Sequence, residues 1–115
     1  MKYDIREKEG VVVVTPKGRM MAGPELEKLH EKIKELVRIG ARKMVIDLGE
    51  VELMDSRGLG ILVAALTSLK NVQGELKLSR ITNKIESLLV ITQLSKVFKT
   101  YDSAEGALKS FQTRN

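Results

Sequence analysis

The chain has 115 residues, 43% of them apolar, which is enough for one compact core and too little for two. Cysteine is absent, and that excludes disulfides, thiolate metal sites and cysteine nucleophiles. The formal net charge is +5, but Lys and Arg alternate with Glu from Glu25 to Glu35 and only 3% of residues are aromatic, so neither a clustered phosphate-binding surface nor a base-stacking platform is indicated.

In chain order, Tyr3-Asp4-Ile5-Arg6 alternates apolar with polar, and Gly10 then precedes Val11 to Val14, a pattern that predicts a first hairpin. Pro16 marks an edge or a strand end. Pro24 suits the first turn of a helix, and Leu26, Leu29, Ile33, Leu36 and Val37 continue it as an apolar stripe to about Ile39, where Gly40 stops it. Met44 to Leu48 is a nearly continuous apolar run, as expected of a strand covered on both faces. Val51 to Met54 then leads into Asp55-Ser56-Arg57-Gly58-Leu59-Gly60, after which Leu59, Leu62, Val63, Leu66 and Leu69 recur at helical spacing. Glu75 to Ser79 reads as a strand, Ile85, Leu88 and Leu89 mark a third helix, and Val97 to Tyr101 is a short last strand. Asp102 with Glu105 resembles a capping box for a final helix through Ala107, Leu108 and Phe111.

This order predicts an α/β fold spanning residues 1–115 as one domain. An N-terminal hairpin opens a mixed sheet, the later strands are parallel through crossovers, and about four helices pack on it. No internal repeat or low-complexity tract interrupts the chain. The N-terminus is charged from Lys2 and lacks an apolar segment, and no run of about 18 apolar residues occurs. The expectation is a cytoplasmic protein that engages neither membrane nor nucleic acid.

Ser56 is the residue that the pattern singles out. Placed at or beside a helix start, its simplest role is an N-cap, because its oxygen can accept from a free amide of the first turn. Gly58 and Gly60 cost helix propensity there, roughly 1 kcal/mol each relative to Ala, and leave the hydroxyl open to a partner. A hydrolase nucleophile is disfavoured, because such a serine needs a general base and the one histidine, His30, lies on the first helix beside its apolar stripe. The Gly two residues before the nucleophile in an elbow motif is missing, Val63 stands where a dinucleotide fingerprint wants its third Gly, and no Walker sequence occurs, so no enzyme is expected. A receiver-like phosphoacceptor would need several carboxylates converging on Mg²⁺. Asp47, inside an apolar strand, reads instead as a buried hydrogen-bonding group, and Asp55 as a cap.

The segment Asp47-Leu48 followed by Met54-Asp55-Ser56-Arg57-Gly58-Leu59-Gly60 resembles the signature of the anti-sigma factor antagonists, the bacterial STAS domains. The likeness extends upstream to Gly18-Arg19 and Pro24-Glu25-Leu26, and downstream to Gly74 through Leu78, Leu88 through Leu94, and Val97-Phe98 before Tyr101 to Glu105. Two positions depart from the common pattern of that family: Arg57 stands where a second Ser often follows, and Met20-Met21-Ala22-Gly23 has no acidic residue.

The resemblance implies that Ser56 is phosphorylated and that the partner is an anti-sigma factor which is also a serine kinase. The unmodified domain would sequester that kinase and release a sigma factor, phosphorylation would end the association, and a serine phosphatase would reset it. ATP and Mg²⁺ would belong to the kinase, so the chain would need no cofactor or metal of its own, and it would act as a monomer. Met20, Met21, Gly23, Asp55, Ser56, Arg57, Gly58, Leu59 and Gly60 form the implied partner surface. A STAS scaffold subunit without a switch, in a larger stress-signalling complex, is the alternative within the same family. At a helix N-terminus, phosphate oxygens are expected to meet free amides and the positive dipole end, leaving the domain folded.

Overall fold

Chemically distinct segments alternate along the chain, and in the computed structural model, described here for residues 1–112, each becomes a separate element. Strands β1 (Lys2–Lys8) and β2 (Val11–Met20) form the hairpin, followed by helix α1 (Pro24–Arg38), strands β3 (Lys43–Asp47) and β4 (Val51–Met54), and helix α2 (Ser56–Asn71). The chain continues through β5 (Glu75–Ser79), α3 (Asn83–Ile91), β6 (Lys99–Tyr101) and α4 (Ala104–Gln112). Residues 113–115, the end of the expected domain, lie outside the described residues.

The sheet runs β1-β2-β3-β5-β6, with β4 beside the far end of β2. Among the described residues only the β1–β2 pair is antiparallel; β3, β4, β5 and β6 all pair in parallel, as the alternating order predicts. Period-2 alternation sorts the strand residues between two faces. Val14, Met20, Met44, Ile46, Leu48, Leu76 and Leu78 join Leu26, Leu29 and Ile33 of α1, Leu62 and Leu69 of α2, and Ile85 and Leu89 of α3 in the main core. On the opposite face Val11, Val13 and Val45 pack under Ala107, Leu108 and Phe111 of α4. Helices therefore cover β3 on both sides, which explains its uninterrupted apolar run. Lys77 also faces α4, its ammonium 2.6 Å from the Ser110 hydroxyl and 4.0 Å from the centre of the Phe111 ring.

Several elements differ from the expectation. Pro16 does not end a strand: it lies within β2, opposite Tyr3. On its other side β2 passes from β3, last paired at Val14, to β4, first paired at Gly18, so the proline falls in a gap of that ladder, where a missing N–H is tolerated. Val51–Met54, read as a lead-in, is a strand in its own right. The last strand is shorter than Val97 to Tyr101 because Phe98 is drawn into the main core. The cap of α4 is Ser103, whose hydroxyl accepts from the Gly106 amide at 2.9 Å, rather than Asp102.

The turn from β3 to β4 aims the chain at the candidate site, and one buried carboxylate holds it. Asp47 accepts from the Gly49 amide at 3.0 Å and from Arg80 Nε at 2.8 Å. Arg80 lies so close over Gly49 that a β-carbon there would come within 2.4 Å of the guanidinium carbon. Asp47→Asn is expected to lower unfolding free energy by about 1–2 kcal/mol in urea titrations, since one charge-assisted hydrogen bond is weakened and Arg80 keeps access to water. Arg80→Ala should then cost much less in that background than in the unsubstituted chain.

Candidate functional site

The strands β2 and β4 end side by side, and the chain turns from each directly into a helix. After Met20 the loop through Gly23 starts α1, and after Met54 the single residue Asp55 starts α2. Gly23 adopts φ 152° and ψ 175°, a conformation essentially restricted to glycine, and its carbonyl accepts from the Glu27 amide at 3.1 Å to begin α1.

Asp55 joins these pieces. Its amide donates to the Met20 carbonyl at 3.2 Å, one carboxylate oxygen accepts from the Gly58 amide at 2.9 Å, and the other accepts from the Ala22 amide at 2.9 Å. The N-cap of α2 is therefore Asp55, not Ser56, which becomes the first helical residue. The hydrogen bonds from Ala22 and then Gly58 hold the Asp55 carboxyl below the ordinary carboxylate range.

Ser56 is exposed, and among the described residues its hydroxyl has no hydrogen-bond partner. Nothing primes it as a nucleophile, since such a serine must hydrogen-bond a base. His30 is half-buried on α1. Arg57, also exposed, reaches across to α1 and pairs with the Glu27 carboxylate. No group of three or more His, Asp or Glu side chains that could hold a metal exists among the described residues. The two carboxylates of the receiver-like alternative are committed elsewhere, Asp47 to Arg80 and Gly49, Asp55 to backbone amides. An open groove of about 740 Å³ follows the charged side of α1 from Tyr3 to Arg38; its lining includes Glu27 but not Ser56.

The expected partner-facing residues divide into two layers. Met21, Ser56, Arg57 and Gly60 lie at the surface, whereas Met20 is fully buried and Leu59 is 6% exposed. Met20 and Leu59 are therefore packing residues beneath the site rather than surface contacts, because both side chains point into the main core. Gly58 is buried as well, for a reason other than keeping the hydroxyl clear. A β-carbon at Gly58 would lie 2.2 Å from the Met20 carbonyl oxygen and 2.9 Å from Met54 Cγ, so α2 can start this close to β2 only with glycine at that position. Gly60 faces open space and does keep the surface low. Sequence reasoning missed Ala22 and Glu27. Ala22 contributes only its amide, and Glu27 looks like one more solvated helix charge.

Comparison with known proteins places this arrangement. A STAS domain family model matches residues 2–107. A candidate anti-sigma factor antagonist of Thermotoga neapolitana is 32% identical over 110 residues, covering 92% of this chain and 94% of that protein. The anti-sigma-B factor antagonist of Bacillus subtilis is 30% identical over 111 residues, covering 95% of this chain and 98% of its own. The phosphorylated form of the Bacillus cell fate determinant SpoIIAA superimposes with a TM-score of 0.79 over 96% of this chain and 99% of that one; at 18% identity it shows a shared fold.

Two stability measurements test the local geometry. Gly58→Ala should lose about 2 kcal/mol or more, because backbone rather than a flexible side chain blocks the new methyl, while Gly60→Ala should gain roughly 0.5–1 kcal/mol from helix propensity. The second concerns acid. A carboxylate with a depressed folded-state pKa stabilises the fold above its unfolded value of ~3.9 and loses that contribution as pH falls through the lower, folded value. Asp55→Asn should therefore flatten the decline in stability below about pH 4 and lower stability at neutral pH, with a nearly constant difference from the unsubstituted chain between about pH 5 and 8.

Proposed function

The chain belongs to the STAS domain family, and from that premise we propose that it acts as an anti-sigma factor antagonist switched by phosphorylation of Ser56. The unmodified domain, residues 1–115 working as one unit in the cytoplasm, binds an anti-sigma factor that is also a serine kinase, and a sigma factor is thereby released. The kinase transfers the γ-phosphoryl group of its own Mg²⁺-bound ATP to Ser56 Oγ. The bond between the β- and γ-phosphates breaks, ADP leaves, and the hydroxyl proton passes to a base on the kinase. Binding then ends until a serine phosphatase removes the phosphate. This chain brings no cofactor to the reaction.

The observation that carries the reading is Ser56 itself, an exposed hydroxyl without a partner at the start of a helix whose cap is a different residue. The hydroxyl is free to be read or modified without cost to the fold. Around it, Met21, Arg57 and Gly60 offer the kinase a small, mostly uncharged surface, with Met20, Gly58 and Leu59 fixing its shape from below. The similarity to antagonists along nearly the whole chain supports the role, and the structurally similar Bacillus protein is known in a phosphorylated form.

The chemistry of the off state differs from the simple helix-terminus expectation. Asp55 already takes the Gly58 amide, so a phosphate on Ser56 meets fewer free N–H groups at the helix start than an uncapped helix would offer. It stands at the surface beside a carboxylate that is held ionised. A partner that buried the bare hydroxyl must now desolvate about −1.5 to −2 charges next to another negative charge.

The test uses unsubstituted, Ser56→Ala and Ser56→Asp proteins as baits in a bacterial lysate supplemented with ADP, with captured proteins identified by mass spectrometry and their affinities measured after purification. The expected result is an ATP-binding serine kinase held by the first two and bound at least about 30-fold more weakly by Ser56→Asp, corresponding to roughly 2 kcal/mol for a buried charge without a partner. Equal capture by all three removes the switch and leaves the scaffold role.

A further inference from the structure

We infer that phosphorylation of Ser56 breaks the Arg57–Glu27 bridge: the new phosphate takes the guanidinium from the Glu27 carboxylate, so one modification alters the charge on two helices. The inference rests on Ser56 being the phosphoacceptor and adds what the phosphate does within this chain.

The bridge joins the first turn of α2 to the first turn of α1, and both partners are open to solvent, with Arg57 63% and Glu27 44% exposed. An ion pair in that setting is weak, because water screens the attraction and two long side chains must be ordered. The two segments that carry the site hold few cations of their own. Arg57 is the only Lys or Arg between Met20 and Gly23 or between Asp55 and Leu69. Nearby anions are more numerous: Asp55 caps α2, Glu25 and Glu27 occupy the first turn of α1, and a phosphorylated Ser56 would join them. Glu25 is met by the N-terminal ammonium of Met1 and Asp55 by backbone amides, so the phosphate and Glu27 are left to compete for Arg57.

That competition is unequal. The phosphate carries close to twice the charge of a carboxylate and three acceptor oxygens, and guanidinium binds phosphate oxygens in bidentate fashion. It is also attached one residue from Arg57, whereas Glu27 belongs to another helix. The amides at the α2 start compete less well for the phosphate, since Asp55 already takes that of Gly58. Once Arg57 turns away, Glu27 loses its ion-pair partner on α2, and the groove that it lines becomes more negative. A partner that touches only the first turn of α1 then also senses the state of Ser56.

The experiment uses the full chain made with phosphoserine incorporated at position 56 during translation, so no kinase is involved. ³¹P NMR follows the second ionisation of the phosphate, near pH 6 for phosphoserine without a partner. Four phosphorylated proteins are compared: unsubstituted, Arg57→Gln, Glu27→Gln and the double variant. Arg57→Gln should raise the ionisation by about half a unit, because a cation beside the dianion is lost. Glu27→Gln should lower it, and by more when Arg57 is present than when it is absent, since only then does removing Glu27 free a cation for the phosphate. The same ionisation in the unsubstituted and Arg57→Gln proteins, or a Glu27→Gln effect that ignores Arg57, overturns the inference. Either result leaves the antagonist reading intact, since that reading stands or falls on partner capture.

Discussion

The Asp55 carboxylate is the constraint on which the site depends. Three separate pieces of backbone meet at this residue: the end of β2 through the Met20 carbonyl, the loop before α1 through the Ala22 amide, and the first turn of α2 through the Gly58 amide. Each bond satisfies a polar group that strand and helix ladders leave over at their ends. The anion also sits at the positive end of the α2 dipole, which favours its ionised form. With the cap supplied by Asp55, the next residue has no structural duty, and Ser56 can present its hydroxyl outward.

Close packing beneath the clasp makes it possible. Gly58 brings the helix against the Met20 carbonyl, and Met20 itself fills the core below. A larger residue at position 58 would lift the helix start and lengthen the bonds that Asp55 makes to both sides. The turn one step earlier is also closely covered: Asp47 holds Arg80 over Gly49, where a side chain would displace the guanidinium. Two buried or half-buried aspartates thus organise the path from β3 to the helix, and neither is free for metal or proton chemistry.

Much of this could be read from the residues. The helix from Pro24, the strand of Met44 to Leu48, the helix that runs through Leu59 to Leu69 and the strand of Glu75 to Ser79 follow from apolar periodicity and breakers and appear close to the expected limits, while the hairpin appears with its second strand running on to Met20. What escaped depends on tertiary context. Val51–Met54 is too short and too lightly buried to alternate clearly, and it becomes a strand only because β2 is long enough to pair with both β3 and β4. Pro16 breaks a strand rule whose premise, a continuous ladder on both sides, does not hold there. At the site, Asp and Ser are both good caps, so their order alone could not decide which of Asp55 and Ser56 would serve; the Ala22 amide, invisible as a side chain, decides it. The Arg57–Glu27 pair spans 30 residues of sequence and carries no local pattern.

A division of labour between neighbours explains how such a small domain could serve as a switch. If Ser56 were the cap, modifying it would remove a bond worth about 1 kcal/mol from the α2 start, and the signal would draw on the stability of the fold. With Asp55 in that role, the fold keeps its cap whatever happens to the hydroxyl. The cost of modification then falls on association. A hydroxyl that enters an interface forfeits only its hydration, about 1–3 kcal/mol even with no partner to replace it, whereas a dianionic phosphate must find counterions or remain in water. Between Asp55 and Leu69 the chain has one such counterion, Arg57, and it is already paired with Glu27. Under the proposed switch, a site with one paired cation and a second fixed anion would be suited to rejecting a partner once Ser56 is phosphorylated, with the fold left intact.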